Sequence, residues 1–86
     1  MRIKIQKQEA GLHPSEVIVT IATVSGTQEL VVDTNSAKQN SIDVGSPIAK
    51  RGDAYLVELP SETSNGKWRV WITRDSTIEE AMEAAE

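Results

Sequence analysis

Apolar and polar residues alternate from the second position, where RIKIQK (residues 2–7) sets Ile3 and Ile5 on one side and Arg2, Lys4 and Gln6 on the other. Successive side chains leave a strand on opposite faces, so this period of two predicts a half-buried strand. Gly11 and Pro14 then mark a loop. The densest strand signal follows in EVIVTIATV (residues 16–24), rich in the β-branched residues that fit a pleated surface. Ser25-Gly26 comes next and TQELVVD after it, which predicts a hairpin with a two-residue turn.

That turn sets an expected register: Val24 opposite Thr27, Ala22 opposite Glu29, Ile21 opposite Leu30, Thr20 opposite Val31 and Val19 opposite Val32. One face then carries Val17, Val19, Ile21, Leu30 and Val32 and belongs to the core. The other carries Ile18, Thr20, Ala22, Val24, Thr27, Glu29 and Val31, too apolar to face water unaided, and calls for a cover.

Farther on, TNSAKQNS (residues 34–41) is polar and aperiodic and predicts a surface loop. In IDVGSPIAKRGD two turn signals leave room for at most one short strand. AYLVEL (residues 54–59) and KWRVWIT (residues 67–73) predict a second hairpin, with Tyr55, Val57 and Leu59 meeting Trp68, Val70 and Ile72 in the core. Trp71 falls on the opposite face with Lys67, Arg69 and Thr73, beside Leu56 and Glu58. It would be covered by a helix, buried in a homodimer, or exposed for recognition.

The chain closes on DSTIEEAMEAAE, where Ser76 and Glu79 form a capping box and Ile78, Ala81, Met82 and Ala85 recur at helical spacing. A helix this short needs a docking surface, since isolated helices below about 12 residues are marginal in water. Ile78 and Met82 could supply the cover for Trp71. The pattern as a whole predicts a single α+β domain over residues 1–86, mainly β: a β body (1–74) of five or six mostly antiparallel strands, and an acidic C-terminal helix (75–86). The strands would curl into a small, partly open barrel, SH3-like or OB-like on strand count alone.

Composition narrows the chemistry. No cysteine is present, which excludes disulfides, zinc-thiolate sites, iron–sulfur clusters and thiol nucleophiles. With no Phe and 38% hydrophobic residues, the core must be built from Val, Ile and Leu. MRIKIQKQ lacks the continuous apolar run of a signal peptide, so the expected setting is cytoplasmic, including a protein made there by a phage or plasmid. The net charge of −4 is unevenly placed: residues 1–74 hold nine basic and eight acidic side chains, while residues 75–86 hold five acidic ones and no base.

Catalytic groups are scarce. His13 is the sole histidine and sits in a polar stretch, and no zinc-protease, nucleophile-elbow or phosphate-loop motif occurs. Arg51-Gly52-Asp53 is ordinary turn chemistry. The expected function is therefore a non-catalytic protein-interaction module, a homodimer or a small regulatory or inhibitory protein, with no cofactor or metal. Its candidate contact faces are Trp71, Arg69, Lys67, Leu56, Arg2 and Lys4, and the acidic set Glu79, Glu80, Glu83 and Glu86. The alternative is a small barrel that binds nucleic acid through the basic and aromatic face, and an enzyme stands third.

Overall fold

A computed structural model describes residues 1–78. Ten strands run in chain order: β1 (Arg2–Lys4), β2 (Lys7–Ala10), β3 (Glu16–Thr23), β4 (Gly26–Asp33), β5 (Ala37–Lys38), β6 (Ser41–Asp43), β7 (Ala49–Arg51), β8 (Ala54–Glu58), β9 (Arg69–Thr73) and β10 (Thr77–Ile78). They form three antiparallel sheets, ordered β10-β1-β6-β5, β2-β3-β4 and β7-β8-β9.

The sheets meet without closing. The second and third sheets are joined by single backbone bonds, Val24 N–H to the Trp71 carbonyl at 2.8 Å and, from the β8–β9 loop, Ser64 N–H to the Glu29 carbonyl at 2.8 Å, in place of a continuous ladder around an axis. The expected five- or six-stranded barrel, SH3-like or OB-like, is thus replaced by three small sheets around a shared core. Ile3 and Ile42 come to that core from the first sheet, Val17, Val19, Ile21, Leu30 and Val32 from the second, and Val57, Val70 and Ile72 from the third.

The expected C-terminal helix is also overturned where the structure describes it. Arg74–Ser76 makes one 3₁₀ turn, and Thr77–Ile78 then pairs with β1, Arg2 opposite Ile78 and Ile3 opposite Thr77. Two forces favour the strand. Thr77 and Ile78 are β-branched, and one side of β1 would lose its ladder without them. Among the described residues the helical segments are two 3₁₀ turns of three residues each. Met82 and the four tail glutamates lie outside the described residues.

The β3–β4 hairpin keeps the expected faces but not the expected register. Thr23 pairs with Gly26, Ala22 with Thr27 and Val19 with Leu30, so the turn is Val24-Ser25, one residue earlier than the Ser25-Gly26 pattern predicts. Moving the turn by one residue moves each partner by two, which is one full strand period. Val17, Val19, Ile21, Leu30 and Val32 accordingly all remain buried. Among the described residues no helix covers the opposite face; Val31 is 43% exposed and Val24 57%.

Two strands arise where the pattern predicts only a loop. Within residues 34–41, β5 and the start of β6 form a hairpin around Gln39 and Asn40, both left-handed at φ 57° and 59°. That is the primed-turn geometry favoured by strand twist. Arg2 ties the hairpin down: its Nε donates to Ser41 Oγ at 2.7 Å, and its Nη2 donates to the Lys38 carbonyl at 3.1 Å.

Gly11 shows how tightly the β2–β3 connection is drawn. Its N–H donates to the Glu16 carbonyl at 3.0 Å, and a Cβ added there would stand 2.8 Å from that same oxygen. The obstacle is backbone, which cannot rotate away. Gly11→Ala should cost about 1–2 kcal/mol, typical of overpacking, and lower the urea midpoint without changing the slope. Wild-type stability in this variant would contradict the turn geometry.

Candidate functional site

The β7-β8-β9 sheet carries Tyr55 and Trp71, and Trp68 stands immediately before β9. The sheet's register runs Ala49–Leu56–Trp71 in one transverse row and Lys50–Tyr55–Ile72 in the next. Because neighbouring residues face opposite ways, Lys50 and Arg51 reach opposite sides of the sheet, and each covers a ring. The Lys50 ammonium is 5.9 Å from the Tyr55 ring centroid, and the Arg51 guanidinium is 5.0 Å from that of Trp71. Such contacts contribute about 0.5–1 kcal/mol at exposed sites.

Arg51 answers the question of what covers Trp71. Among the described residues no helix covers it, Ile78 being spent on β1, and the half-buried indole is sheltered by a side chain of its own sheet. Arg51 escaped sequence reasoning because its tripeptide read as a turn. The turn is there, with Gly52 at φ +59° and Arg51 paired to Ala54. A diagonal cross-strand contact to Trp71 depends on the order β7-β8-β9, which local pattern does not state.

Trp68 corrects a second expectation. It was assigned to the core by alternation with Val70 and Ile72, yet it is 50% exposed, whereas those two are buried. The residue precedes β9, where its carbonyl accepts from Leu59 N–H at 2.8 Å. At this end the buried positions belong to Leu59 and Thr63. Thr63 is held by a bridge to Leu30 and accepts the Lys67 N–H on its Oγ1 at 3.0 Å. A strand's period assigns a side, but it does not guarantee that the core extends to the strand's end.

The structure brings together four of the six residues of the predicted basic face. Leu56, half-buried, lies opposite Trp71, and Arg69 lies opposite Glu58. Lys67, Arg69 and Trp71 share the wall of a notch of about 80 Å³ with Thr23, Ser25 and Gln28. This space is far below the roughly 300 Å³ at which small-molecule pockets begin. Arg2 and Lys4 belong to the other sheet, on β1, and Arg2 is committed to the β5–β6 hairpin. Arg51 joins the set in their place. Glu79, Glu80, Glu83 and Glu86, the predicted acidic face, lie outside the described residues.

No protein-family model, curated protein or solved structure matches this chain. Function must then be read from the surfaces themselves. His13 is exposed, and its carbonyl accepts the Glu16 N–H at 3.0 Å in the tight connection before β3. Among the described residues no cluster of three or more His, Cys, Asp or Glu side chains could hold a metal, and no helix is long and apolar enough to cross a membrane. Away from the aromatic sheet, the Lys7 ammonium is held above the usual lysine range by its hydrogen bond and charge attraction to Glu9, 2.9 Å away.

Proposed function

We propose that this chain is a non-catalytic protein-interaction module whose contact surface is the outer face and rim of the β7-β8-β9 sheet. The observation that carries the reading is the half-exposed Trp68 standing next to Lys67 and Arg69, on the sheet where Arg51 stacks over Trp71. Tryptophan and arginine dominate the energetic centres of protein interfaces, because a rigid ring and a planar cation offer large contact area at small entropic cost. A sheet supports them rigidly. The partner is another protein or a second copy of the chain.

The same cations would suit a nucleic acid, and that is the second reading. Single-strand binding relies on bare aromatic faces on which successive bases stack. Arg51 occupies one face of the Trp71 ring, leaving Trp68 as the exposed platform, so the protein reading is better supported.

Incorporating a photo-crosslinking phenylalanine derivative at position 68 and irradiating a native extract tests this directly. The expected product is a polypeptide adduct that survives nuclease and is lost with Lys67→Glu/Arg69→Glu. Adducts only to nucleic acid, or none, would overturn the proposal.

A further inference from the structure

The second face that lacks a cover is acidic. On the outer side of β2-β3-β4, Glu9, Ile18 and Val31 form one transverse row, flanked by Glu16 opposite Asp33 on one side and by Lys7, Thr20 and Glu29 on the other. Lys7 is tied to Glu9 at 2.9 Å. Glu16, Glu29, Asp33 and Glu62 are in no salt bridge among the described residues. Two clefts of about 220 and 260 Å³ meet at Val31, the first bordered by Glu16 and Asp33, the second floored by Ile18 and Val31 and bordered by Glu29 and Glu62. The second cleft is an apolar trough, the first is mainly polar, and carboxylates border both.

One chain therefore carries two complementary outer faces: a carboxylate-rimmed apolar trough on β2-β3-β4, and an aromatic surface ringed by Arg51, Lys67 and Arg69 on β7-β8-β9. Both belong to sheets whose inner sides fill the same core, and among the described residues no salt bridge links one face to the other within the molecule. We infer that copies of this chain associate head to tail, the basic aromatic face of one seating on the acidic trough of the next. This inference rests on the protein-contact reading above and names the partner.

Physical chemistry sets the character of the contact. Trp68 would supply a large apolar group for the Ile18–Val31 floor, and Lys67 and Arg69, its neighbours in the chain, would meet the carboxylate rim. Opposite charges across an interface mainly speed encounter and fix orientation. The association weakens with salt, because exposed charges are screened over about 10 Å at 0.1 M ionic strength and about 3 Å at 1 M. A standard interface of about 800 Å² per partner would occupy about a seventh of the 5536 Å² accessible surface. Such pairing is heterologous: each copy retains one unused face, and assembly continues beyond a dimer.

That property supplies a decisive test by sedimentation velocity on the full chain. The wild type should sediment as concentration-dependent oligomers at 50 mM salt and shift toward monomer at 0.5 M, roughly a tenfold or greater weakening. Lys67→Glu/Arg69→Glu, defective on the basic face, and Glu29→Lys/Glu62→Lys, defective on the acidic face, should each be monomeric alone. Mixed one to one, the neutral counterparts Lys67→Gln/Arg69→Gln and Glu29→Gln/Glu62→Gln should form a dimer that grows no further, because each contributes the face that the other retains and the two altered faces carry no complementary charge. Circular dichroism checks the fold, and the neutral pairs replace any reversed pair that fails to fold. A mixture that stays monomeric, or variants that assemble like the wild type, would overturn the head-to-tail inference. A monomeric wild type whose position-68 crosslinker captures a different protein would overturn self-pairing while leaving the protein-contact reading intact; no assembly and no polypeptide adduct would remove both.

Discussion

Ile72→Ala should unfold at a temperature roughly 15–25 °C below the wild type, the largest effect of any single truncation considered for this protein. Ile72 is 0% exposed in β9, opposite Tyr55, and lies in the cluster where the third sheet meets the second. Truncation removes three methyl(ene) carbons and leaves a cavity that strands on both sides cannot collapse to fill, a loss of about 3–4 kcal/mol. Total stability for 86 residues is roughly 4–13 kcal/mol on the usual per-residue scale. Roughly a quarter of it or more would go with one side chain. Val31→Ala, by contrast, removes a side chain already 43% exposed and should cost less than about 1 kcal/mol. Urea titrations of the two variants check the contrast; equal midpoints would mean that the core lies elsewhere.

Thr77→Pro separates a strand from a helix by the sign of its effect. Were Ser76 the cap of a helix, position 77 would be its first helical residue, where proline is well tolerated and its missing N–H costs nothing. In the structure Thr77 has φ −102°, its N–H donates to the Arg74 carbonyl, and its hydroxyl donates to the same oxygen at 2.7 Å. Proline would delete both donors, pull φ toward about −65°, and disturb the pairing of Thr77 with Ile3. A loss of about 2–3 kcal/mol is expected. Unchanged or raised thermal stability would restore the helix.

The reason this segment misleads is visible in its residues. Capping boxes and helical spacing are local signals, and Ser76, Ile78 and Glu79 satisfy them, whereas the ladder that competes for Thr77 and Ile78 is offered by β1, some 75 residues earlier in the chain. Tertiary pairing overrides local preference wherever a short segment has both options. The β3–β4 core face was legible for the opposite reason, because a period of two survives a turn displaced by one residue. β2, with sequence KQEA and every residue exposed, carries no burial pattern at all; it is a strand only through its bonds to β3.

The site was half legible on similar grounds. Alternation correctly separated Trp71, Arg69 and Leu56 from the buried Val70 and Ile72, since all of these lie within one regular hairpin. Alternation had no means of placing Arg51 over Trp71, which requires the third strand of the sheet, or of bringing Arg2 and Lys4 to a face that belongs to another sheet. Trp68 was misassigned because the rule was carried past the strand's end, and that error had hidden the most exposed aromatic group of the molecule.

Acrylamide quenching of the Trp71→Phe variant, in which Trp68 is the sole tryptophan, measures directly whether the proposed contact residue is open at the rim of the sheet. At dilute concentration and 0.5 M salt, after circular dichroism shows the fold intact, red-shifted emission and strong quenching are expected, and on concentrating at 50 mM salt a blue shift with protection. Weak quenching in the dilute sample would contradict the proposal, placing Trp68 in the core and leaving the sheet without its contact residue.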